Sequence, residues 1–416
     1  MSFAIIESRQ DNVYNPNFYT SEGMLVLKEQ LKLLNHVYVP SFDGNSQAKG
    51  QTVSFTAPSV PKGQGTVGVM NEIETLAPTT TTVKLDKYIQ RAFKVNDIDK
   101  TLSEGRIITD HIAPYMSAIS KDVELEVYKV AKRVPWKIPA MASAKEEFIT
   151  IKQRLSSNNV NTESGDITYL IDPVHQSNLL RDPIFSSQQV LDMSGRVIMS
   201  GDLQMRYGIT PVMSQIAATA HKAGTLLGTV AAPATKAART GSLKAQANVN
   251  DRIIIVSGLP AGKTIEPGDA FFINQDKFGA FLPKYAVVNS ATITIAGDVT
   301  IEISSPIKQT IPMGAAVEFD DGSLYNRDEY EGLMAFHRNA IAVIPRPLAL
   351  PPKSTVDSSI AVDKETGLAL RCRIVYNAAD AGNTYVHFDT LFGYELLNPD
   401  AIAVVCRPKT FIPDYF

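Results

Sequence analysis

The segment Ser257–Thr264, SGLPAGKT, carries the residue types of a phosphate-binding loop: it follows the apolar run RIIIV and ends in Gly262, Lys263 and Thr264. Such a loop holds phosphate with backbone amides and a lysine, which requires glycine where Ser257 stands and a helix directly after the threonine. IEPGDAFFIN follows instead, so a hairpin turn is expected and nucleotide binding is not. The six histidines, His36, His111, His175, His221, His337 and His387, are dispersed, with no pair at the close spacing of common metal motifs. No GxSxG nucleophile elbow occurs. The two cysteines, Cys372 in LALRCRIVY and Cys406 in AIAVVCRP, read as buried reduced thiols, as in a cytoplasmic protein. Carboxylate groups such as KEEF near Glu146 and EYEG near Glu329 read as solvated faces. No residue is therefore assigned a catalytic, cofactor-binding or metal-ligating role.

At 416 residues the chain is long enough for two or three domains, and 44% hydrophobic with 20% charged residues is the composition of a chain that buries a core. The net charge of −3 is made of interspersed acids and bases, which argues against a surface built to grip nucleic acid. MSFAIIESRQDNVYN has no basic region followed by an apolar stretch, so no secretory leader is expected. The Ala-rich stretch from Val212 to Ala234 carries Gln215, His221, Lys222 and Pro233, which fits a packed helix better than a membrane span.

Along the chain, Thr20 or Ser21 can cap a helix with Met24, Leu27, Leu31 and Leu34 on one face. QTVSFTAP then alternates as a strand, APSVPKGQGTVG reads as a Gly/Pro-rich tip, and TVKLDKYIQRAFKV as the returning strand of a long arm. Between Ile108 and Val134, apolar residues at Ile112, Met116, Ile119, Val123, Val127 and Val130 step by three and four. This predicts an amphipathic helix on the order of 40 Å long, with Asp110, Lys121, Asp122, Glu124, Lys132 and Arg133 on its solvated face, Pro114 starting or kinking it and Pro135 ending it. A mixed region follows from Glu146 to Gly208. From Gly241 to Gly322 short β-branched and aromatic runs (RIIIV, AFFIN, YAVV, ATITI, VTIEIS, AAVEF), divided by turns, predict a small inserted β-barrel. AFHRNAIAVIPRPL, LALRCRIVYNA, TYVHFDTLFGYELL and AIAVVCRP close the chain.

The order of these pieces resembles the Hong Kong 97-type major capsid fold of tailed phages, and within it the coat proteins of the P-twenty-two-like short-tailed group. LKLLNHVYVPSFDG with GQTVSFTAP is similar to that family's N-terminal helix and extended loop, SKDVELEVYKVAKRV to its spine helix, PGDAFFIN, YAVV and VTIEISSPI to its inserted domain, and AFHRNAIAVIPRPLALPP with GYELLNPDAIAVV to its closing segments. The resemblance implies an α+β chain in this layout: residues 1–35 an N-terminal arm and helix, 36–95 the extended β-hairpin loop, 96–145 a peripheral domain with the spine helix, 146–240 an axial domain, 241–325 the inserted β-barrel, and 326–416 the return to the axial and peripheral domains. It also implies a non-enzymatic coat subunit, built into an icosahedral procapsid as hexamers and pentamers. The partners implied are a scaffolding protein and a portal, with a decoration protein left open. Contact with packaged double-stranded DNA would be weak and nonspecific, with no membrane role; assembly is in the host cytoplasm and the final location the virion capsid. The loop QDKFGAFLPK, Gln275 to Lys284, is the expected contact to neighbouring subunits. The competing classes are a nucleotide-binding enzyme, which would depend on Lys263, and an exported β-module array or adhesin, which needs a leader.

Overall fold

The computed structural model describes residues 15–40, 52–57, 79–96, 112–141, 143–182, 203, 205–216, 219–229, 232–274, 283–307, 309–320, 330–352, 356–377 and 383–408. The chain is α+β and divides into two compact units: Met1–Phe55 with Thr82–Val127 and Ile341–Glu395, and Thr56–Thr81 with Tyr128–Ala340 and Leu396–Phe416.

In the first unit the helix Pro16–Gln30 starts earlier than its apolar pattern suggested. Asn15, not Thr20 or Ser21, is its cap: the Asn15 side chain accepts from Asn17 N at 3.0 Å, and Pro16 fills the first turn, where a missing N–H costs nothing. Thr20 lies inside the helix, where its hydroxyl bonds Pro16 O at 3.0 Å and meets Ser359 Oγ at 3.0 Å. Met24, Leu27, Leu31 and Leu34 are all buried, the last two just past the helix end. The spine helix is α-helical over Ala113–Tyr128, about 24 Å at 1.5 Å per residue, and tightens to a 3-10 helix over Lys129–Arg133. It is therefore shorter than expected, with Pro114 in its first turn; Ile108 to His111 lie outside the described residues. The predicted stripe holds, because Ile112, Met116, Ile119, Val123, Val127, Val130 and Val134 are all fully buried. Glu124 departs from the expected solvated face: it is buried, and its Oε1 accepts from Lys32 N and, at 2.7 Å, from Leu33 N.

The sheet of this unit is five-stranded: Ile341–Arg346, Asn383–Leu396, Ala369–Asn377 and Asp357–Val362 in order, with Lys87–Asn96 also paired to Asn383–Leu396. The 14-residue strand Asn383–Leu396 is its spine. Lys87–Asn96 runs antiparallel beside it from Lys87↔Phe392 to Asn96↔Asn383. A separate two-stranded ribbon is made by Thr52–Ala57 and Thr79–Lys84. The returning arm is thus two strands, Thr79–Lys84 and Lys87–Asn96, broken at Leu85 and Asp86. The proposed tip APSVPKGQGTVG lies outside the described residues after Ala57.

The second unit holds a mixed sheet in the order Lys137–Pro139, Ile402–Pro408, Tyr330–His337, Ile167–Ile171 and Ile209–Met213, with Thr219–His221 paired to the start of Tyr330–His337. Ile167–Ile171 (ITYLI) is buried at every position, as a strand covered on both faces must be, with Thr168 its one short polar side chain. The helices Ala144–Ser157 and Pro173–Arg181 flank it in sequence.

In the same unit, six strands are hydrogen-bonded in the order Lys284–Ala286, Ala270–Ile273, Ala316–Phe319, Thr240–Leu243, Ile253–Ser257 and Val299–Glu302. Every neighbouring pair is antiparallel. The two ends meet: Val287 bridges Ile303, and Val288 N donates to Glu302 O at 2.9 Å, so the sheet closes into a barrel. Closure removes the free edges that a small open sheet would expose. Phe271, Phe319, Tyr285, Val317 and Ile301 fill it, while Ile253 and Ile255 alternate outward from Ile254 and Val256.

The Ala-rich stretch is not a helix. It forms the strands Ile209–Met213 and Thr219–His221 and a 3-10 turn at Thr225–Leu227, whose Leu226 and Leu227 enter the barrel core. Alanine favours helix by only a few tenths of a kcal/mol per residue over most alternatives. Pairing of Thr219–His221 with Tyr330–Gly332 and burial of two leucines outweigh that, and Gly224, Gly228 and Pro233 interrupt any helical run.

Candidate assembly elements and buried charge centres

SGLPAGKT lies in a turn between two strands, Ile253–Ser257 and Thr264–Ile265, with Gly258 and Gly262 in the left-handed region at φ 82° and 74°. No helix follows, so no N-terminal amides face the loop. It is also not a simple hairpin: Ile253–Ser257 belongs to the barrel, whereas Thr264–Ile265 pairs with Ala291–Thr292 in a two-stranded sheet. Cys372 and Cys406 are free and buried. Burial pushes the Cys406 thiol up to about 12, and burial followed by Asp389 raises Cys372 as well. Among the described residues no three His, Cys, Asp or Glu side chains gather as metal ligands, and no helix is long and apolar enough to cross a membrane.

The arm is fixed at its root. Val83 and Leu85 form a small buried cluster with Ile344. Gly393 lies against this root so closely that a Cβ there would sit 2.4 Å from Lys84 O and 3.1 Å from Val83 Cγ1. Beyond the root, Thr52–Ala57 and Thr79–Lys84 pair only with each other among the described residues. A lone two-stranded ribbon is at best marginally stable in water.

Three buried charge centres were not anticipated. In the first unit, Asp389, with a side chain 0% exposed, accepts from Arg371 Nη2 at 2.7 Å and Nε at 3.1 Å, from Arg373 Nη2 at 3.2 Å and from the Tyr88 hydroxyl at 2.9 Å. Burial and then Asp389 hold the Tyr88 pKa up. In the second unit, Arg407 is shared by Asp172 (2.9 and 2.6 Å) and Glu331 (2.8 and 2.6 Å). The third centre, Glu147, accepts from the Tyr169 hydroxyl at 2.6 Å and lies 2.8 Å from His175 Nε2. Burial, then Glu147, drives the Tyr169 pKa well up. A tyrosine, a carboxylate and a histidine within hydrogen-bond reach could in principle exchange protons with a substrate. Here Glu147 is 1% and Tyr169 0% exposed, so the trio ties Ala144–Ser157, Ile167–Ile171 and Pro173–Arg181 together.

Where the barrel meets the mixed sheet, the contact is polar. Lys137 Nζ donates to Gly268 O at 2.6 Å and lies 5.1 Å over the Tyr330 ring; burial lowers its pKa. Asp269, fully buried, accepts from Glu266 N at 2.9 Å and Gly224 N at 3.0 Å. Burial outweighs Lys137 and these amides and raises its pKa to about 6. Lys284 pairs with Asp320 and lies 5.2 Å over Phe272. The Tyr330 ring also meets His221 edge-on at 4.9 Å.

No family model and no curated protein matches this chain. Among solved structures it is similar to a chain of Mycobacterium phage Che8, with 10% identity and a TM-score of 0.41 over 89% of this chain and 94% of that one. It is similar also to the capsid of the cyanophage P-SCSP1u, with 10% identity and a TM-score of 0.41 over 89% and 86%. A third is the virus-like particle from Pyrococcus furiosus, with 9% identity and a TM-score of 0.41 over 93% and 97%. Likeness at this level leaves function to be argued from the chain's own elements.

Of the residues singled out in the sequence, His111, Glu329 and the loop from Gln275 to Leu282 lie outside the described residues. The remaining histidines do not converge. His175 joins Glu147, His221 the barrel joint, His387 lies 3.0 Å from Gln90 Nε2, and Asn339 N donates to His337 Nδ1 at 3.3 Å. Besides Glu124, the carboxylates read as solvated include two more that are not. Glu147 of KEEF is buried, and Glu331 of EYEG, only 12% exposed at its side chain, is held by Arg407. One signal could have located a centre: Arg371 and Arg373 are two apart on a strand, hence on one face, and Asp389 stands opposite Arg371 in the register.

Proposed function

We propose that this chain is the major capsid protein of a tailed bacteriophage, a non-enzymatic subunit of the Hong Kong 97-type and, more narrowly, of the P-twenty-two-like coat proteins. The observation that carries the reading is the ribbon Thr52–Ala57 and Thr79–Lys84, held at its root by Val83, Leu85, Ile344 and Gly393 and otherwise unaccompanied by any strand among the described residues. Two strands alone cannot bury both faces, so the ribbon gains a stable partner when it lies on a neighbouring copy. The contact is head-to-tail, because arm and receiving surface are different patches, and head-to-tail contacts that close produce rings.

On this reading residues 36–95 are the extended loop, 96–145 the peripheral domain with the spine helix, 146–240 axial, 241–325 the inserted barrel, and 326–416 the return. Hexamers and pentamers form with a scaffolding protein around a portal in the host cytoplasm, and the shell then encloses double-stranded DNA. The net charge of −3 suits a wall that touches DNA weakly, since a strongly basic lining would hold phosphates and resist both packing and release.

The test is expression of the full chain with and without a scaffolding protein, followed by sedimentation and electron microscopy. Closed shells or polyheads are expected, and removal of residues 58–78 should leave folded subunits that do not close. Subunits that stay monomeric at high concentration with scaffold present, or shells unaffected by that removal, would overturn the proposal.

A further inference from the structure

A cleft of ≈ 450 Å³ opens beside the barrel joint, lined by Lys132, Lys222, His221, Thr225, Thr264 and Glu266 among others. Its polar walls differ in whether they are already satisfied. Thr225 and Thr264 bond each other: Thr264 N donates to Thr225 Oγ1 at 2.8 Å, and the two hydroxyls lie 3.1 Å apart. Lys132 and Lys222 have no ion pair among the described residues, although both can reach the cleft. His221 is 8% exposed, and its Nε2 has no hydrogen-bond partner among the described residues. Just behind the wall, Lys137 and Asp269 offset each other. The lining therefore carries two cations against the single carboxylate of Glu266, a net of +1 with His221 neutral.

We propose that this cleft is a receptor for a carboxylate, held by the ammonium groups of Lys132 and Lys222, with the His221 ring as its inner wall. A monoanion matches the net charge of the lining, whereas a phosphate dianion would be repelled by Glu266 and left under-neutralised. Burial, then Lys137 and Lys132, hold the imidazole pKa down to about 3, so the ring stays neutral beside the two ammonium groups. The carboxylate could be that of a small acid or of an Asp or Glu side chain on a second copy of this chain. Both offer the same chemistry to the two lysines.

The experiment titrates butyrate, a monocarboxylate, into the full-length, unassembled chain and follows the histidine ring resonances by NMR. A saturable shift of the His221 ring, identified by the loss of its resonance in His221→Gln, is expected. Lys132→Ala/Lys222→Ala should weaken binding at least about tenfold, since two charge-assisted contacts are lost, and Glu266→Gln should tighten it. Absence of a saturable shift, an unchanged affinity in the double lysine variant, or tighter binding of inorganic phosphate than of butyrate would each overturn the assignment. Repeating the titration on assembled shells identifies the source. A second copy's side chain would already fill the cleft and abolish the shift, whereas a free acid would bind in both states, and either result presupposes the site.

Discussion

Arg407 is the cation on which two buried carboxylates depend. Its guanidinium makes four hydrogen bonds of 2.6–2.9 Å to Asp172 and Glu331, and the three side chains are 8%, 9% and 12% exposed. Burial works against the charge, but the bonds and charges of Asp172 and then Glu331 outweigh it and hold the pKa above the usual arginine value. Arg407→Met keeps the aliphatic stem and removes the cation, leaving two carboxylates facing each other without water. Breaking a buried pair in this way costs about 3–5 kcal/mol. The triple variant Arg407→Met/Asp172→Asn/Glu331→Gln removes every charge at once. Asp172 also caps a helix by accepting from His175 N, and the amide oxygen that Asp172→Asn supplies can accept the same bond. Most of the loss should therefore return, leaving about 1 kcal/mol. The assay is equilibrium urea unfolding of the unassembled subunit, followed by the fluorescence of Trp136, the chain's single tryptophan. It lies in the same unit, 7% exposed, with its indole N–H donating to Asp400 at 3.0 Å. The midpoint should fall by about 1 M urea or more in the single variant. A loss below about 1 kcal/mol in that variant, or a triple variant as unstable as the single, would refute the view that an uncompensated buried charge sets the cost.

Three further outcomes follow from the same geometry. Gly393→Ala should destabilise the unit that holds it by about 1–3 kcal/mol through overpacking against Lys84 O and Val83, and shell yield by sedimentation should drop; full assembly at unchanged stability would show that the root is not tight. Asp269 has a folded pKa of about 6, above its unfolded value, so its charge costs stability at pH 7 and the cost is relieved as pH falls through 6. Between pH 7 and 4.5 the wild type should gain about 2 kcal/mol relative to Asp269→Asn, measured by paired urea curves; parallel pH profiles would contradict the raised value. Both thiols should resist a colorimetric disulfide reagent at pH 8 in the folded chain and react together in urea, because burial raises both pKa values; one fast thiol before unfolding would mean that its strand is open.

Elements with a strong period were legible in the sequence. The spine helix showed itself by steps of three and four that all prove buried, and the barrel by short β-branched runs cut by turns, because local pattern and final burial agree there. The Ala-rich stretch misled because its alternatives are decided by a distant partner: Thr219–His221 becomes a strand through Tyr330–Gly332, about a hundred residues on. Glu124, Glu147 and Glu331 failed for a related reason. Whether a carboxylate is solvated depends on which amide, hydroxyl or guanidinium folding brings to it, and Leu33 N, Tyr169 and Arg407 are all remote in sequence.

The buried charges also bear on strand register. Glu331 stands opposite Arg407 in one sheet and Arg371 opposite Asp389 in the other, each a directly facing pair between antiparallel strands. A slip of one residue would turn each charge to the opposite face and strand it without its partner. An apolar pair of the same volume would pack about as well in either register, so it would add stability without selecting between them. On the proposed capsid reading, a subunit that meets identical neighbours around closed rings tolerates register error poorly, because one shifted strand moves every contact beyond it. The triple variant at Arg407 separates these roles. It should recover stability while admitting register heterogeneity, seen as doubled amide resonances along Tyr330–His337 and Ile402–Pro408; a single sharp set of resonances with unchanged assembly would leave the charges without a specifying role.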